Sequence, residues 1–280
     1  MSKDIVFIHS GLGNQMFQYA FYLSRKKNNP NTTCDMGLLK NRNIHNGFEL
    51  NNIFGIKIGS NAFHIFIIRV LYYSNFIRSL FKIFNIGIIS DKESQNYNKR
   101  INYFLGYWQD EKNFSYIGEE IRKVFLFKRE LLSKECTAIQ ENIIQCNSVA
   151  IHIRRGDYTA PQFQKIYGNI CTIDYYHKAI STILDLIPNP TFYIFSNDIE
   201  WVKKNIQIPN PIYIDFNKGK KSWQDMYLMS QCKHNIIANS TFSWWGAYLN
   251  NNPNKIVICP HKFDNIDSSP YIFLNQWIKI

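Results

Sequence analysis

The chain has 280 residues, of which 45% are hydrophobic, 16% aromatic and only 19% charged. That balance supports a substantial core, excludes disorder as the overall state and suits one large domain or two smaller ones. The formal charge of +11 favours an anionic partner: nucleic acid, a nucleotide or an acidic membrane surface.

In chain order, residues 4–8 (DIVFI) predict a short buried strand. HSGLGNQ predicts a turn, and MFQYAFYLSRKK a helix that ends before Asn28, Asn29 and Pro30. Strand, glycine-rich turn and helix open a βα unit. IVFI is too short for the apolar core of a secretory leader, so a cytoplasmic protein is expected. The region 40–110 reads as irregular and aromatic-rich. Within it, 63–89 is the most apolar stretch, but Arg69, Arg78 and Lys82 interrupt the uncharged run that a spanning helix needs. It is either a core helix with basic surface positions or a basic amphipathic face for anionic lipid. From Glu119 to about Ile143 the periodicity and charge pattern predict helix. A new rhythm begins near residue 147. SVAIHI, TFYIFS, NPIYIDF, HNIIAN and PNKIVICP predict strands, separated by the helical patterns TIDYYHKAISTIL, IEWVKKN, SWQDMYLMSQC and STFSWWGAYLNN. This alternation implies a mostly parallel sheet covered on both faces. The second half is therefore one doubly wound domain, and the first half begins another, with a boundary near 130–147. The six cysteines lack C-x-x-C spacing and read as buried free thiols.

In open α/β sheets, ligands bind beyond the carboxyl ends of the strands. Four such ends carry unusual chemistry. GLGNQM at the first has Met16 where a dinucleotide fingerprint needs its third glycine, and no G-K-[ST] follows. Gly11 and Gly13 imply tight turning, while Asn14 and Gln15 either brace the turn or bond sugar or phosphate. The second end, IHIRRGDY (Ile151–Tyr158), is sharper. Arg154 and Arg155 offer rigid forks suited to phosphate. Adjacent side chains on a strand point opposite ways, so one arginine can meet ligand while the other pairs with a carboxylate. Gly156 permits the turn. Asp157 either clamps an arginine or acts as a base toward a hydroxyl. The residue pattern alone favours a packed, hydrogen-bonded His152. At the third end, Asn197 and Asp198 cap the next helix. The fourth, NSTFSWWG, places Ser240, Thr241 and Ser243 at a helix N-terminus, a natural phosphate site. Asp225 starts a helical stretch and either caps it or reaches a base edge. No spaced set of metal ligands is present, and no RRM, KH or helix-turn-helix pattern supports nucleic-acid binding.

GLGNQMFQYA (Gly11–Ala20), HIRRGDY (His152–Tyr158), FYIFSND (Phe192–Asp198) and ANSTFSWWGAYLN (Ala238–Asn250) closely resemble the motifs of the α-1,2-fucosyltransferases of glycosyltransferase family 11, in order and rough spacing. The resemblance implies a GT-B fold of two Rossmann-like domains facing across a cleft. Residues 1–140 would form the mainly acceptor-side domain and 141–280 the donor domain. It implies GDP-β-L-fucose as donor, inverting transfer to the 2-hydroxyl of a galactose-type residue, and no required metal or cofactor. Related α-1,6- and protein O-fucosyltransferases share the H-x-R-R-x-D core, whose histidine and first arginine contact GDP. On that resemblance His152 holds the nucleotide and Arg154 binds the diphosphate, reversing the packed reading of His152. Arg155 becomes a structural ion-pair partner, Ser240 and Thr241 contact phosphate, and Asp225 reads guanine. Asp157 is the candidate base, in competition with an arginine clamp, and Asn14 and Gln15 lie toward the acceptor. Ser10 replaces the first glycine of the usual G-G-L-G-N-Q opening, which narrows the turn's options. The expected setting is bacterial polysaccharide or O-antigen synthesis, on a soluble or lipid-linked glycan, with 63–89 as the candidate peripheral contact with the inner membrane. The alternatives are an inverting transferase that uses another nucleotide sugar and a non-catalytic polyanion-binding α/β protein.

Overall fold

The apolar run at the start of the chain forms β1 (Lys3–Phe7), buried along all but its first residue. A strand with neighbours on both sides and helices on both faces requires that pattern. β1 pairs in parallel with β2 (Thr32–Asp35) and with β4 (Ile101–Phe104), and β4 pairs with β3 (Ile86–Ile89). The resulting order is β2-β1-β4-β3. The computed structural model of the protein describes residues 2–39, 45–73, 85–91, 99–156, 160–266 and 272–280, with backbone alone at 70–73. These residues divide into two compact units, Met1–Phe127 and Lys128–Ile280.

The sheet of the first unit runs through a region whose sequence reads as irregular. A buried polar cluster on its central strands conceals it. Asn102 in β4 donates to Asp4 in β1 at 2.8 Å, and the Arg25 guanidinium meets the other Asp4 oxygen at 2.6 Å. These partners hold the Asp4 pKa below its ordinary value, outweighing a burial effect that acts the other way. Within 63–89, the helix Ala62–Tyr73 buries Ile67 and Ile68 against Ile5, Phe7 and Tyr103. Strand β3 closes the same stretch, so it is not one amphipathic face. Arg78 and Lys82 lie outside the described residues. Among the described residues, no helix is long and apolar enough to cross a membrane.

The helical pattern from Glu119 divides in two: Gly118–Val124, and Lys134–Gln145 capped by the Ser133 hydroxyl, which accepts from the Cys136 amide. The second helix belongs to the second unit. Ser133 N donates to the side chain of Gln224 at 2.7 Å, and Cys136 and Ile143 are buried. The division between units therefore falls at 127/128, ahead of the expected 140.

The second unit is built on β5 (Asn147–Ile153), β6 (Pro190–Ser196), β7 (Pro211–Ile214), β8 (His234–Ile236), β9 (Val257–Cys259) and β10 (Ile278–Lys279). The strands are parallel, in the order β10-β9-β8-β5-β6-β7. Counted from β5, this is the Rossmann order 3-2-1-4-5-6, with its switch point between β5 and β8. Val149, Ile151 and Ile153 of β5 pack with Phe192, Ile194, Ile236 and Ile258 beneath the helix Ile173–Leu186. That helix is capped by Thr172 and turns Tyr175, Tyr176, Ala179, Ile180 and Ile183 inward, the spacing of one helical face.

Candidate active site at the switch point of the second sheet

Strand alternation assigns the chemistry of β5. Val149, Ile151 and Ile153 face the helix Ile173–Leu186, so Ser148, Ala150 and His152 take the opposite face. His152 lies 5% exposed, its ring 5.8 Å from that of Phe242 near the start of the helix Thr241–Tyr248. The ends of β5 and β8 thus meet across the switch point. Burial, and secondarily the nearby Arg154 charge, push the His152 pKa down to about 3. The imidazole is neutral at any working pH. Its Nδ1 is buried and has no hydrogen-bond partner among the described residues. A buried, unpaired ring nitrogen costs stability and is available to a ligand.

Arg154 follows His152 and is half-buried. Arg155 turns to the other side, where its guanidinium lies 3.6 Å from the ring centre of Trp201 and its Nε donates to Asp198 at 3.4 Å. Asp198 also caps the helix Ile199–Asn205 by accepting from Trp201 N. The Asn197 side-chain oxygen Oδ1 accepts from Arg155 N at 3.0 Å. A Cβ on Gly156 would lie 1.9 Å from the Asn197 side-chain nitrogen, so a larger residue would displace the side chain that holds Arg155 N. Arg155, Gly156, Asn197 and Asp198 therefore form one brace beneath the loop. Asp157 lies outside the described residues.

Across the switch point, Ser240 caps the helix Thr241–Tyr248, accepting from Phe242 N at 3.3 Å. Ser240 is buried and Thr241 half-buried. Ser243 is fully buried and bonds back to Ala238 and Ser240 carbonyls, so its hydroxyl belongs to the turn. Residues not singled out in the sequence hold this arrangement. Tyr176 donates to the His152 carbonyl at 3.1 Å, and Tyr175 to the Ile237 carbonyl at 2.6 Å. Adjacent tyrosines thus grip both strands flanking the switch point. Asn239 is buried and donates to the Tyr167 and Phe263 carbonyls. Two adjacent tyrosines in the first turn of a capped helix are the one local signal that could have found them.

Asp225 sits in the first turn of the helix Trp223–Gln231. Loss of water around its carboxyl pushes its pKa up to about 7, against a lowering hydrogen bond from Asn217 at 2.8 Å. Asn217 lies just beyond β7, is 6% exposed, and its carbonyl oxygen has no partner among the described residues. Acceptors with spare capacity thus collect at a third strand end.

In the first unit, the GLGNQ turn is spent internally. Gln15 is 0% exposed; it donates to the Ser10 and Gly47 carbonyls at 2.8 Å each and accepts from Glu49 N at 3.0 Å. Both Gln15 amide protons are thus spent within the turn, as the bracing alternative for this residue expects. Asn14 remains half-buried and accepts from Gln109 at 2.7 Å. Gly11 caps the helix Leu12–Asn28 in extended conformation, and Gly13 is buried in its first turn. The buried Glu49 carboxylate takes the Leu12 amide at that N-terminus, and burial raises its pKa. Among the described residues, no cluster of three or more histidine, cysteine or acidic side chains is placed to hold a metal.

Two parallel-sheet units, one of Rossmann order with arginine, neutral histidine and a helix N-terminus at its switch point, define an α/β protein of the GT-B class. Consistent with this, the structure resembles that of the fucosyltransferase NodZ from Bradyrhizobium, with TM-score 0.55 at 11% identity, covering 88% of this chain and 92% of that one. The sequence matches the description "Glycosyl transferase family 11" over residues 6–280, and the chain belongs to that family. It is 36% identical to an alpha-1,2-colitosyltransferase of Escherichia coli, across 100% of this chain and 99% of that protein. It is 32% identical to the O-antigen biosynthesis glycosyltransferase WbnK of Escherichia coli, across 98% and 99%. A galactoside alpha-(1,2)-fucosyltransferase 1 of Saimiri sciureus is 26% identical, over 60% of this chain and 49% of that protein.

Proposed function

We propose that the protein transfers L-fucose, or its 3-deoxy analogue colitose, from the GDP-sugar to the 2-hydroxyl of a terminal galactose-type residue, with inversion to an α-1,2 linkage. The observation that carries this reading is the convergence at the β5/β8 switch point of His152, Arg154 and the Ser240-capped helix. The names of the colitosyltransferase and of the galactoside alpha-(1,2)-fucosyltransferase supply the two sugars.

In this proposal the diphosphate lies against Arg154 and the amides and hydroxyls at Ser240–Thr241. As the glycosidic bond breaks, negative charge grows on the leaving phosphate, and these groups stabilise it more than they stabilise the bound donor. No metal is needed for that role. Neutral His152 donates or accepts a single hydrogen bond to the nucleotide portion. Asp225, held by Asn217, takes the N–H edge of guanine; binding those donors favours its carboxylate and lowers its raised pKa. The acceptor hydroxyl attacks in line from the opposite side of the sugar, and Asp157 takes its proton late in the reaction. The acceptor is a soluble or lipid-linked glycan met on the cytoplasmic side of a bacterial inner membrane, with the first unit as the acceptor-side domain.

The test is transfer to lactose and N-acetyllactosamine from GDP-fucose and from GDP-colitose, with EDTA present. Product from either donor supports the reading. No product from both, with no GDP binding, sinks it. The donors are distinguishable because they differ by one hydroxyl. A pocket that hydrogen-bonds the fucose 3-hydroxyl should reject colitose by about 10⁴-fold, whereas an apolar pocket built for colitose should reject fucose by only about 10²-fold.

A further inference from the structure

The first unit carries a second concentration of unusual geometry. Strands β1 and β4 are neighbours, with Val6 opposite Phe104, so the segments that follow them, His9–Ser10 and Gly106–Gln109, leave the sheet side by side. One buried side chain ties them together. The Gln18 carbonyl accepts from His9 N at 2.9 Å, and its amide donates to the Gly106 carbonyl at 2.9 Å. The third neighbouring strand contributes Asp91, just past β3. Its two oxygens accept from Tyr107 N at 2.7 Å and Trp108 N at 2.9 Å. A Cβ on Gly106 would stand 2.4 Å from the Asp91 carboxylate, so this wrap needs glycine.

Two non-glycine residues of the pair of loops adopt left-handed backbone: Ser10 at φ 66° and Trp108 at φ 56°. Such conformations cost free energy and persist where surrounding contacts enforce them. Trp108 is enforced by packing, its ring stacked on Phe21 at 4.2 Å. What these constraints present is Tyr107. It is 40% exposed, and its ring lies 5.2 Å from that of His9 at 59°. Two residues further along the chain, the half-buried Gln109 amide is joined to that of Asn14 at 2.7 Å.

We infer that the His9–Tyr107 ring pair, with the Asn14–Gln109 amides at its edge, is a carbohydrate-binding subsite for the acceptor hexose. A galacto-configured pyranose places its C3, C4 and C5 hydrogens on one face, which makes an apolar patch for an aromatic ring. Its hydroxyl edge suits paired amides, each of which retains both donor and acceptor capacity. An exposed tyrosine held rigidly by its own backbone loses little conformational freedom on binding. Gln18 and Asp91 are positioning residues: they set the two loops and bear no ligand. This inference rests on the galactoside reading of the proposed function.

The test compares the full-length protein with Tyr107→Ala, Tyr107→Phe and His9→Ala. With the active donor, Tyr107→Ala should raise the acceptor KM at least tenfold, while Tyr107→Phe stays within twofold because the ring face is kept. GDP affinity should remain within twofold in all three. An unchanged acceptor KM in Tyr107→Ala, or a parallel loss of GDP affinity, would overturn the subsite. If the wild-type protein transfers neither sugar, the proposed function fails and binding is read directly. Saturation-transfer NMR with methyl β-galactoside should then give a signal with the wild-type protein that is lost in Tyr107→Ala. Equal signals, or none with the wild-type protein, would again overturn it.

Discussion

The two units answer the same structural problem in opposite ways. Each has a helix whose N-terminus opens at the carboxyl end of a parallel sheet, where exposed amides attract negative charge. In the first unit that position is filled from within, by the buried Glu49 carboxylate on the Leu12 amide and the Gln15 side chain across the turn. In the second, the Ser240 hydroxyl caps the helix, and the adjacent groups are Arg154 and a neutral histidine with an unpaired nitrogen. A glycine-rich turn before a helix is thus no guide to a phosphate site by itself. In the first unit the chain's own carboxyl group occupies that position.

The largest expected effect falls at the switch point of the second sheet. Arg154→Ala should lower transfer by about 100- to 1,000-fold through loss of charge stabilisation, with the thermal midpoint nearly unchanged. Activity within a factor of two would remove Arg154 from the reaction.

Next come the paired titrations of the second unit. The folded pKa of His152, about 3 against an ordinary 6.5, means that the unfolded chain binds the proton more readily. Its contribution is full above pH 6.5 and is lost as pH falls toward 3. The Asp225 shift, to about 7 from 3.8, has the opposite sign, and its contribution is lost as pH rises from 3.8 toward 7. Between pH 3.8 and 6.5 the two slopes, each at most about 1.4 kcal/mol per pH unit, oppose each other. His152→Gln should make stability fall with pH relative to wild type, and Asp225→Asn should make it rise. Urea unfolding at pH 4.5 and 6.0 reads both. Curves parallel to wild type would contradict the burial argument.

Glu49→Ala sharpens the comparison from the filled side. It leaves the Leu12 amide without its acceptor and should cost about 1–3 kcal/mol of stability, while GDP affinity stays within twofold. A large loss of GDP affinity at unchanged stability would mean that the first helix N-terminus serves the nucleotide. The smallest effect is expected at Ser10, whose φ of 66° lies in the region that glycine favours. Ser10→Gly should raise stability by up to about 1 kcal/mol on thermal unfolding; a clear loss would show that the Ser10 hydroxyl contact with His9, 3.0 Å long, outweighs the strain.

The second unit was legible in the sequence because its strands are apolar runs punctuated by turns, and because arginines at a strand end are chemically conspicuous. The first sheet was hidden. β2 and β4 are four residues each, and β4 carries Asn102, whose reason for burial, Asp4, lies 98 residues away. The same long range hid Glu49, Gln18 and Asp91, whose functions depend on backbone amides that no local pattern pairs with them. Gln15 was visible as a polar residue in a motif, but its partners Gly47 and Glu49 were not. The period of a strand sends Arg154 and Arg155 to opposite sides, and the family resemblance supplied which of them pairs with a carboxylate. The family resemblance reversed the packed reading of His152, and the structure adds its burial and unpaired Nδ1.

The most direct test of where the nucleotide binds is hydrogen–deuterium exchange of the full-length protein with and without GDP. Slowed exchange is predicted in peptides covering 152–156 and 238–243. Protection confined to residues 10–15, with those two segments unchanged, would contradict the assignment of the donor site to the switch point of the second sheet.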